Sequence, residues 1–271
     1  MKQTFHASRA SICPTCFKLI QADLVEQEQE LVMEKYCPDH GHFKTRIAAD
    51  YKWHAELQEY AAVSVSPQTR QTKVNRGCPY DCGECEAHRQ KSAFFLFELT
   101  DRCNLSCPIC LGNPGKKNRQ ITTKEMAYMI ETVISYSGPA PIVTLGGGEP
   151  TIHPDFFDLV DIAKSSGIED IWVYTNGLKL SKDAAFARRM VEENLYVVLQ
   201  WDGFDDAVYK TLRGRALLDE KQRALSHLKS NGARIGICPT LVAGVNDGEL
   251  GRLYDFFIKD PQIITNPSIS L

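Results

Sequence analysis

The sequence predicts an α/β fold: a partial (βα)6-type TIM-like barrel with a small N-terminal cysteine-rich metal-binding region. From residue 93 onward, short β-branched or aromatic runs alternate with helical patterns, whereas residues 1–92 show no such repeat. All ten cysteines except Cys238 fall into three tight groups. We therefore expect a metal-binding region at 1–62, a linker with a second cysteine motif at 63–92 and the barrel domain at 93–271.

Six apolar runs are the predicted strands of the barrel. Their nearly continuous apolar character is typical of parallel strands that are covered on both faces. They comprise residues 93–99, 141–145, 169–175, 195–201, 233–238 and 268–271. No helix pattern follows the last run, so we expect an incomplete barrel that exposes apolar surface and is prone to aggregate.

A helix is predicted after the first strand. Thr122 and Glu125 have the spacing of a capping box, which marks a helix start. Apolar residues then recur at helical spacing and predict a face that packs against the sheet. They are Met126, Met129, Ile130, Val133 and Ile134.

Composition narrows the class of protein. With 43% hydrophobic and 24% charged residues, the chain resembles soluble globular proteins, and no apolar run approaches the roughly 20 residues of a membrane span. No signal-peptide core is present, so we expect a cytoplasmic location. The net charge of −3 argues against a nucleic-acid partner. In a reducing compartment, clustered thiols indicate metal ligands, whereas the isolated Cys238 is interpreted as an ordinary buried cysteine.

The central cysteine group directly follows the first predicted strand. Cys103, Cys107 and Cys110 are spaced C-x3-C-x2-C. Three thiolates on a [4Fe–4S] cluster leave one iron open to chelate a small molecule. A structural zinc knuckle is the alternative, but it requires four ligands.

A glycine run ends the second predicted strand, in the segment TLGGGEPTIHP. Glycines there allow a ligand to approach the backbone closely. Glu149 is expected to place a carboxylate at the mouth of the site, where it suits an ammonium group. Taken alone, such a run is more often just a tight connection between strand and helix, but here it follows the cysteine group by about one βα unit.

Two further groups lie before the barrel. Cys78, Cys82 and Cys85 repeat the C-x3-C-x2-C spacing, and they indicate an auxiliary [4Fe–4S] cluster with His88 or substrate as fourth ligand, or a zinc site completed by His88. The first group forms a complete tetrahedral set for mononuclear zinc or iron. It consists of Cys13, Cys16, Cys37 and His40, with His42 as a possible substitute.

With these motifs in place, the chain resembles the radical S-adenosylmethionine (SAM) superfamily from residue 93 to the end. The resemblance implies that Cys103, Cys107 and Cys110 hold the [4Fe–4S] cluster that cleaves SAM. It implies that the GGEP motif contacts the methionine part of SAM, and that polar residues at later strand ends line the SAM site. These are Gly147, Gly148, Glu149 and Pro150, then Thr175, Asn176, Gln200 and Asp202. The segments TNG, with Thr175 and Asn176, and DG, with Asp202, are also common turn sequences.

The order of all the motifs resembles one subgroup, the class D radical SAM methylases that act on a pterin precursor and the archaeal tetraether lipid synthases. This implies C-methylation of a pterin-like substrate or carbon–carbon coupling of lipid chains, with ferredoxin or flavodoxin as electron donor. Members of the subgroup continue past residue 271. Two alternatives are a non-catalytic iron–sulfur protein, which does not require the GGGEP loop, and a zinc-ribbon nucleic-acid module, which the negative charge disfavours.

Overall fold

The computed structural model describes residues 3–59, 69–70, 72–76, 80–81, 85–86, 88, 92, 94–112, 118–137 and 142–260. The chain divides into two compact units, residues 1–91 and 92–271, which are described separately. In the described ranges, no helix combines the length and the apolar character needed to cross a lipid bilayer.

The N-terminal unit is built on a four-stranded antiparallel sheet whose strands lie in chain order. The strands are β1 (Gln3–Ile12), β2 (Leu19–Gln27), β3 (Glu30–Cys37) and β4 (Gly41–Ala48), and helix α1 (Tyr51–Glu59) follows. The buried apolar residues of its second and third strands are Ala22, Val25, Leu31 and Val32. The cysteine pattern predicted a metal site here but did not predict this regular sheet.

The second unit is an α/β fold around a five-stranded sheet in the order β5-β6-β7-β8-β9, with all neighbours parallel. The strands are β5 (Phe94–Thr100), β6 (Ile142–Gly147), β7 (Ile171–Thr175), β8 (Tyr196–Gln200) and β9 (Arg234–Cys238). The helices are α2 (Thr123–Ser137), α3 (Phe156–Ser165), α4 (Leu178–Lys182), α5 (Ala184–Glu192), α6 (Asp206–Arg213), α7 (Leu218–Ser230) and α8 (Leu250–Lys259). Five of the predicted strands are confirmed, and the predicted sixth, 268–271, lies outside the described residues.

The start of α2 has the predicted capping box. The Thr122 backbone N–H donates to Glu125 Oε2 at 2.7 Å, and the Glu125 backbone N–H donates to Thr122 Oγ1 at 3.2 Å. Met126 and Ile130 are fully buried, and Met129 packs beside them. The methionines therefore belong to the core between helix and sheet, as the spacing predicted.

The two faces of the parallel sheet have different roles. Alternate residues such as Val143, Leu145 and Val173 pack into the main core under the helices. The residues between them face the other way, and the strand register aligns Tyr174 with Val198 and Val198 with Gly236. Tyr174 and Val198 line a cleft that reaches the carboxyl ends of the strands, where parallel α/β folds bind their ligands.

Candidate SAM and metal sites

The loop after β5 carries the central cysteine group. The Cys110 backbone N–H donates to the Cys107 carbonyl at 3.1 Å and closes a turn between the two cysteines. Cys103 Sγ accepts hydrogen bonds from the Leu105 backbone N–H at 3.4 Å and from Asn176 Nδ2 at 3.8 Å. Burial raises the pKa of the Cys103 thiol to about 11, and the charge of Glu149 adds to the effect. Such a thiol loses its proton when it binds iron.

The glycine loop after β6 packs against the cysteine loop. The Gly148 N–H donates to the Thr100 carbonyl at 2.7 Å, and the Glu149 N–H donates to the Arg102 carbonyl at 2.8 Å. A Cβ at Gly147, where φ is +114°, would lie 2.4 Å from the Thr100 oxygen, and one at Gly148 would lie 2.2 Å from the Arg102 oxygen. The glycines were expected to make room for a ligand. At Gly147 and Gly148 the close neighbour is instead the protein's own backbone.

Glu149 is a buried carboxylate, 1% exposed, rather than an open group at the mouth as the sequence predicted. Its Oε1 accepts from the hydroxyls of Thr151 and Thr175 at 2.5 and 2.7 Å, and its Oε2 accepts from the Asn176 N–H at 2.7 Å. Burial raises the pKa of this carboxyl, and these hydrogen bonds oppose that effect. In the part of the chain that the structure describes, Glu149 has no ion-pair partner. Its acceptors therefore suit the ammonium group of a ligand.

A cleft of about 240 Å³ brings most of the predicted SAM-site residues together. The predicted residues that line it are Cys103, Cys107, Cys110, Gly147, Gly148, Glu149, Thr175, Asn176 and Gln200. Pro150 and Asp202 do not line it; both are buried behind its wall. These side chains fit a [4Fe–4S] cluster with bound SAM. Three cysteines share one cleft with Glu149, which has no ion-pair partner among the described residues.

Asp202 is fully buried and forms an ion pair with Arg213. Nε and Nη2 of Arg213 each donate to the carboxylate at 2.7 Å, and the Thr240 backbone N–H donates to it at 3.0 Å. The Gln200 side-chain amide also donates to Asp202. Arg213 and Thr240 line the cleft, so Asp202 contributes to the site through the residues that it holds.

Sequence reasoning missed several residues that line the cleft or contact its lining residues. Arg213 ends α6, and no sequence motif connected it with the strand ends. Cys238 was interpreted as an ordinary buried cysteine, but it is only half-buried and lines the cleft at the end of β9. Lys221 was not considered, yet its fully buried Nζ donates to Asn176 O at 2.6 Å and Gln200 Oε1 at 2.5 Å. The one available signal was an isolated lysine on the apolar face of α7.

A separate metal site lies in the N-terminal unit. The ligand atoms of Cys13, Cys16, Cys37 and His40 all lie within 4.8 Å of one another. Two turns present them: the Phe17 N–H donates to the Cys13 carbonyl at 2.9 Å, and the His40 N–H donates to the Cys37 carbonyl at 3.3 Å. Such a Cys3His set fits one tetrahedral zinc ion.

Two further observations concern this metal site. Burial raises the pKa of Cys13, but hydrogen bonds from the Cys16 and Thr15 backbone and from Cys16 and Cys37 lower it to about 6, which favours the thiolate that a metal requires. The substitute ligand His42 packs its ring against Tyr36 at 4.8 Å between centroids and lies outside the ligand group.

The second cysteine motif is only partly described. Cys78 and Cys82 lie outside the described residues. Cys85 is buried, and its carbonyl accepts a 2.9 Å hydrogen bond from the His88 backbone N–H.

Comparison with known families assigns both units. Residues 97–257 match the radical SAM superfamily, and residues 5–49 match the HMPTM N-terminal zinc ribbon domain. The zinc ribbon match covers the Cys3His group in the first unit. The radical SAM match covers the whole cleft in the second.

Individual relatives agree with this assignment. The chain is 33% identical over 258 residues to 7,8-dihydro-6-hydroxymethylpterin dimethyltransferase of Methanocaldococcus jannaschii, covering 94% of this chain and 51% of the relative. It is 32% identical over 148 residues to mycofactocin maturase MftC of Mycolicibacterium smegmatis, covering 53% and 37%. The chain thus spans about half or less of the length of these relatives.

Solved structures share the fold. A chain described as His6-tagged anSMEcpe with bound AdoMet superposes with a TM-score of 0.55 at 19% identity, covering 66% of this chain and 51% of that one. Streptococcus suis SuiB bound to S-adenosylmethionine gives a TM-score of 0.52 at 18% identity, covering 62% and 38%. The predicted fold is confirmed, with a [4Fe–4S] cluster and SAM as the cofactors of the family and the zinc ribbon as an additional metal site. The chain belongs to the radical SAM superfamily.

Proposed function

We propose that this chain provides the SAM-cleaving part of an enzyme that methylates a carbon of a pterin-like substrate. The supporting observation is the 33% identity to a pterin dimethyltransferase along 94% of this chain, which spans both the zinc ribbon and the radical SAM region. The match to mycofactocin maturase MftC covers a smaller share, 53% of the chain.

The chain's own residues bind and orient the cofactors. Cys103, Cys107 and Cys110 line the cleft, and their thiolates would hold the [4Fe–4S] cluster there. Glu149 lies at the same end of the sheet and accepts the ammonium group of SAM. When bound, the cluster and SAM would supply the radical chemistry that functionalises an unactivated carbon.

The remaining residues of the predicted SAM site lie around the three cysteines and Glu149. Thr175 and Asn176 connect to it through Glu149, to which they donate hydrogen bonds of 2.7 Å. Gln200 contributes from the end of β8, and Gly147, Gly148 and Pro150 shape the loop. Asp202 acts indirectly by orienting Arg213 and Thr240 at the cleft wall.

We assign residues 1–62 to the metal-binding region, 63–92 to a linker and 93–271 to the barrel domain. Cys13, Cys16, Cys37 and His40 bind one zinc ion. Cys78, Cys82 and Cys85, with His88 as a candidate fourth ligand, hold an auxiliary [4Fe–4S] cluster. The SAM-binding cluster would require an electron donor such as ferredoxin or flavodoxin. The clustered thiols favour a cytoplasmic location.

Carbon–carbon coupling of lipid chains is the second candidate reaction. The resemblance of the motif order to tetraether lipid synthases supports it, whereas the identity to the pterin dimethyltransferase supports methylation. A non-catalytic iron–sulfur protein is the candidate from another class. It requires neither Glu149 nor the glycine loop.

Anaerobic turnover separates these candidates. We expect reconstituted protein with dithionite, SAM and 7,8-dihydro-6-hydroxymethylpterin to form 5′-deoxyadenosine and a methylated pterin, both measured by liquid chromatography and mass spectrometry. Cys103→Ala should abolish both products. Product formed only with lipid acceptors would favour coupling, and no 5′-deoxyadenosine under any condition would contradict the proposal.

A further inference from the structure

Among the residues that the structure describes, one lysine is fully buried, and it has no carboxylate in direct contact. Lys221 extends from α7 toward the carboxyl ends of β7 and β8, and its side chain is 0% exposed. A buried ammonium group is costly unless its donors are satisfied. Its Nζ donates to two neutral acceptors, the Asn176 carbonyl at 2.6 Å and Gln200 Oε1 at 2.5 Å. Both acceptor residues line the proposed SAM cleft.

On one side, Lys221 acts on Asn176. The backbone N–H of Asn176 donates to Glu149 Oε2 at 2.7 Å, so the residue is held between Glu149 and Lys221. Its side-chain Nδ2 donates to Asn104 Oδ1 at 2.7 Å and contacts Cys103 Sγ at 3.8 Å. A shift of the Asn176 backbone would therefore be transmitted to both the carboxylate and the cysteine loop.

On the other side, Lys221 fixes the side-chain amide of Gln200. Lys221 binds the amide oxygen, and the amide nitrogen donates to Asp202, so the amide cannot flip without losing both bonds. Asp202 is held in turn by Arg213. Lys221 thus lies at the centre of a hydrogen-bond network that joins Glu149 and Asn176 to Gln200 and Arg213.

We propose that Lys221 is a positioning residue of the SAM site, which orders the Asn176 backbone and the Gln200 amide and thereby determines how tightly SAM binds. The inference rests on the proposed SAM site in this cleft. Burial lowers the pKa of Lys221 to about 7. Burial of the Lys221 ammonium group is energetically unfavourable, and it occurs where the donors of this group organise the cleft. Such unfavourable burial is typical of residues that serve function rather than stability.

The test compares Lys221→Met with Lys229→Met. Lys229 lies on the same helix and pairs with Asp260, and it is not among the residues that line the cleft. In anaerobically reconstituted Lys221→Met we expect the SAM dissociation constant from equilibrium dialysis to rise at least tenfold. The SAM concentration that changes the electron paramagnetic resonance signal of the reduced cluster should rise in parallel. The rate of 5′-deoxyadenosine formation at saturating SAM should fall by less than threefold.

If Lys221 served only to stabilise the fold, Lys221→Met would lower the thermal midpoint of the protein. A positioning role predicts a different result. Met fills similar volume and removes a buried charge, so the thermal midpoint of metal-free Lys221→Met should equal or exceed that of the wild type. Weaker SAM binding without lower stability supports a positioning role. If Lys221→Met fails to unfold cooperatively, Lys221→Gln, whose amide NH2 group can still donate hydrogen bonds, should fold and bind SAM with an affinity between those of the wild type and Lys221→Met.

Three outcomes would overturn the inference: unchanged SAM affinity in Lys221→Met, an equal loss in Lys229→Met, or additive effects of Lys221→Met and Gln200→Met. Residues in one network are expected to be non-additive. Failure of the proposed function gives a different result, because the wild-type protein itself would then neither bind SAM nor depend on Cys103 for 5′-deoxyadenosine.

Discussion

Arg213, which lines the cleft, and the buried Asp202 form a two-point ion pair, with Nε and Nη2 of Arg213 each 2.7 Å from a carboxylate oxygen. The side chains are 12% and 0% exposed. Removing one partner of a buried pair leaves an uncompensated charge, so Asp202→Ala should lower the free energy of unfolding by about 3–5 kcal/mol. Urea denaturation of the metal-free protein measures this change.

The matched control for that experiment is Glu220→Ala. Glu220 pairs with Arg215 at 3.2 Å, but the arginine is 47% exposed. Exposed pairs contribute about 0–1 kcal/mol. Equal losses of stability in Asp202→Ala and Glu220→Ala would contradict the view that burial makes the Arg213 pair important.

Glu149→Gln should weaken SAM binding. The substitution keeps the size of the side chain but removes the charge that would face the ammonium group. Hydrogen bonds to charged groups contribute about 1.5–3 kcal/mol, so the dissociation constant should rise by roughly 10- to 100-fold. Equilibrium dialysis with reconstituted protein measures it. Glu125→Gln, which alters the cap of α2 and an exposed ion pair with Arg119, should bind SAM normally.

The N-terminal unit should bind one zinc ion through His40 and not His42. His40 Nδ1 lies 3.7 Å from Cys13 Sγ and 3.6 Å from Cys37 Sγ, whereas the His42 ring packs on Tyr36. We expect His40→Ala to lose bound zinc in metal analysis and to lower the thermal midpoint of this unit. His42→Ala should retain zinc, and the opposite pattern would move the ligand assignment to His42.

The two C-x3-C-x2-C groups should differ in function. Cys103→Ala should abolish 5′-deoxyadenosine formation while the auxiliary cluster remains detectable by electron paramagnetic resonance. Cys78→Ala should leave some uncoupled SAM cleavage and impair mainly the final product. Sulfide analysis of the wild type should correspond to two [4Fe–4S] clusters. Sulfide for a single cluster would indicate zinc at the Cys78 group, and SAM cleavage that survives loss of Cys103 would reverse the assignment.

Lys221 should make stability depend on pH. Burial lowers its pKa from 10.5 to about 7 in the native state. Between these values the unfolded chain binds a proton that the native state does not, so the free energy of unfolding should rise with pH, by at most about 1.4 kcal/mol per unit. Below pH 7 the contribution is constant. Urea unfolding between pH 6 and 9 should show this slope in the wild type and lose it in Lys221→Met.

Much of the site could be predicted because its parts are close together in the chain. Cys103, Cys107 and Cys110 lie within one loop, so their spacing alone indicates a shared metal cluster. Glu149 follows a glycine run at the end of a strand, and parallel strands bring such ends to one edge of a sheet. Cys13, Cys16, Cys37 and His40 lie on two short turns, so local spacing again predicted the ligand set.

The tertiary structure decided which distant side chains complete the cleft. Lys221 lies 45 residues from Asn176 and Arg213 lies 27 residues from Thr240 along the chain, and no local pattern indicates which residue each contacts. Their contacts depend on how α6 and α7 pack against the strand ends. Cys238 enters the cleft because the register of β9 aligns it with Gln200. Sequence spacing predicts ligands that one loop brings together, whereas hydrogen bonds between separate elements are set only when the sheet and helices have packed.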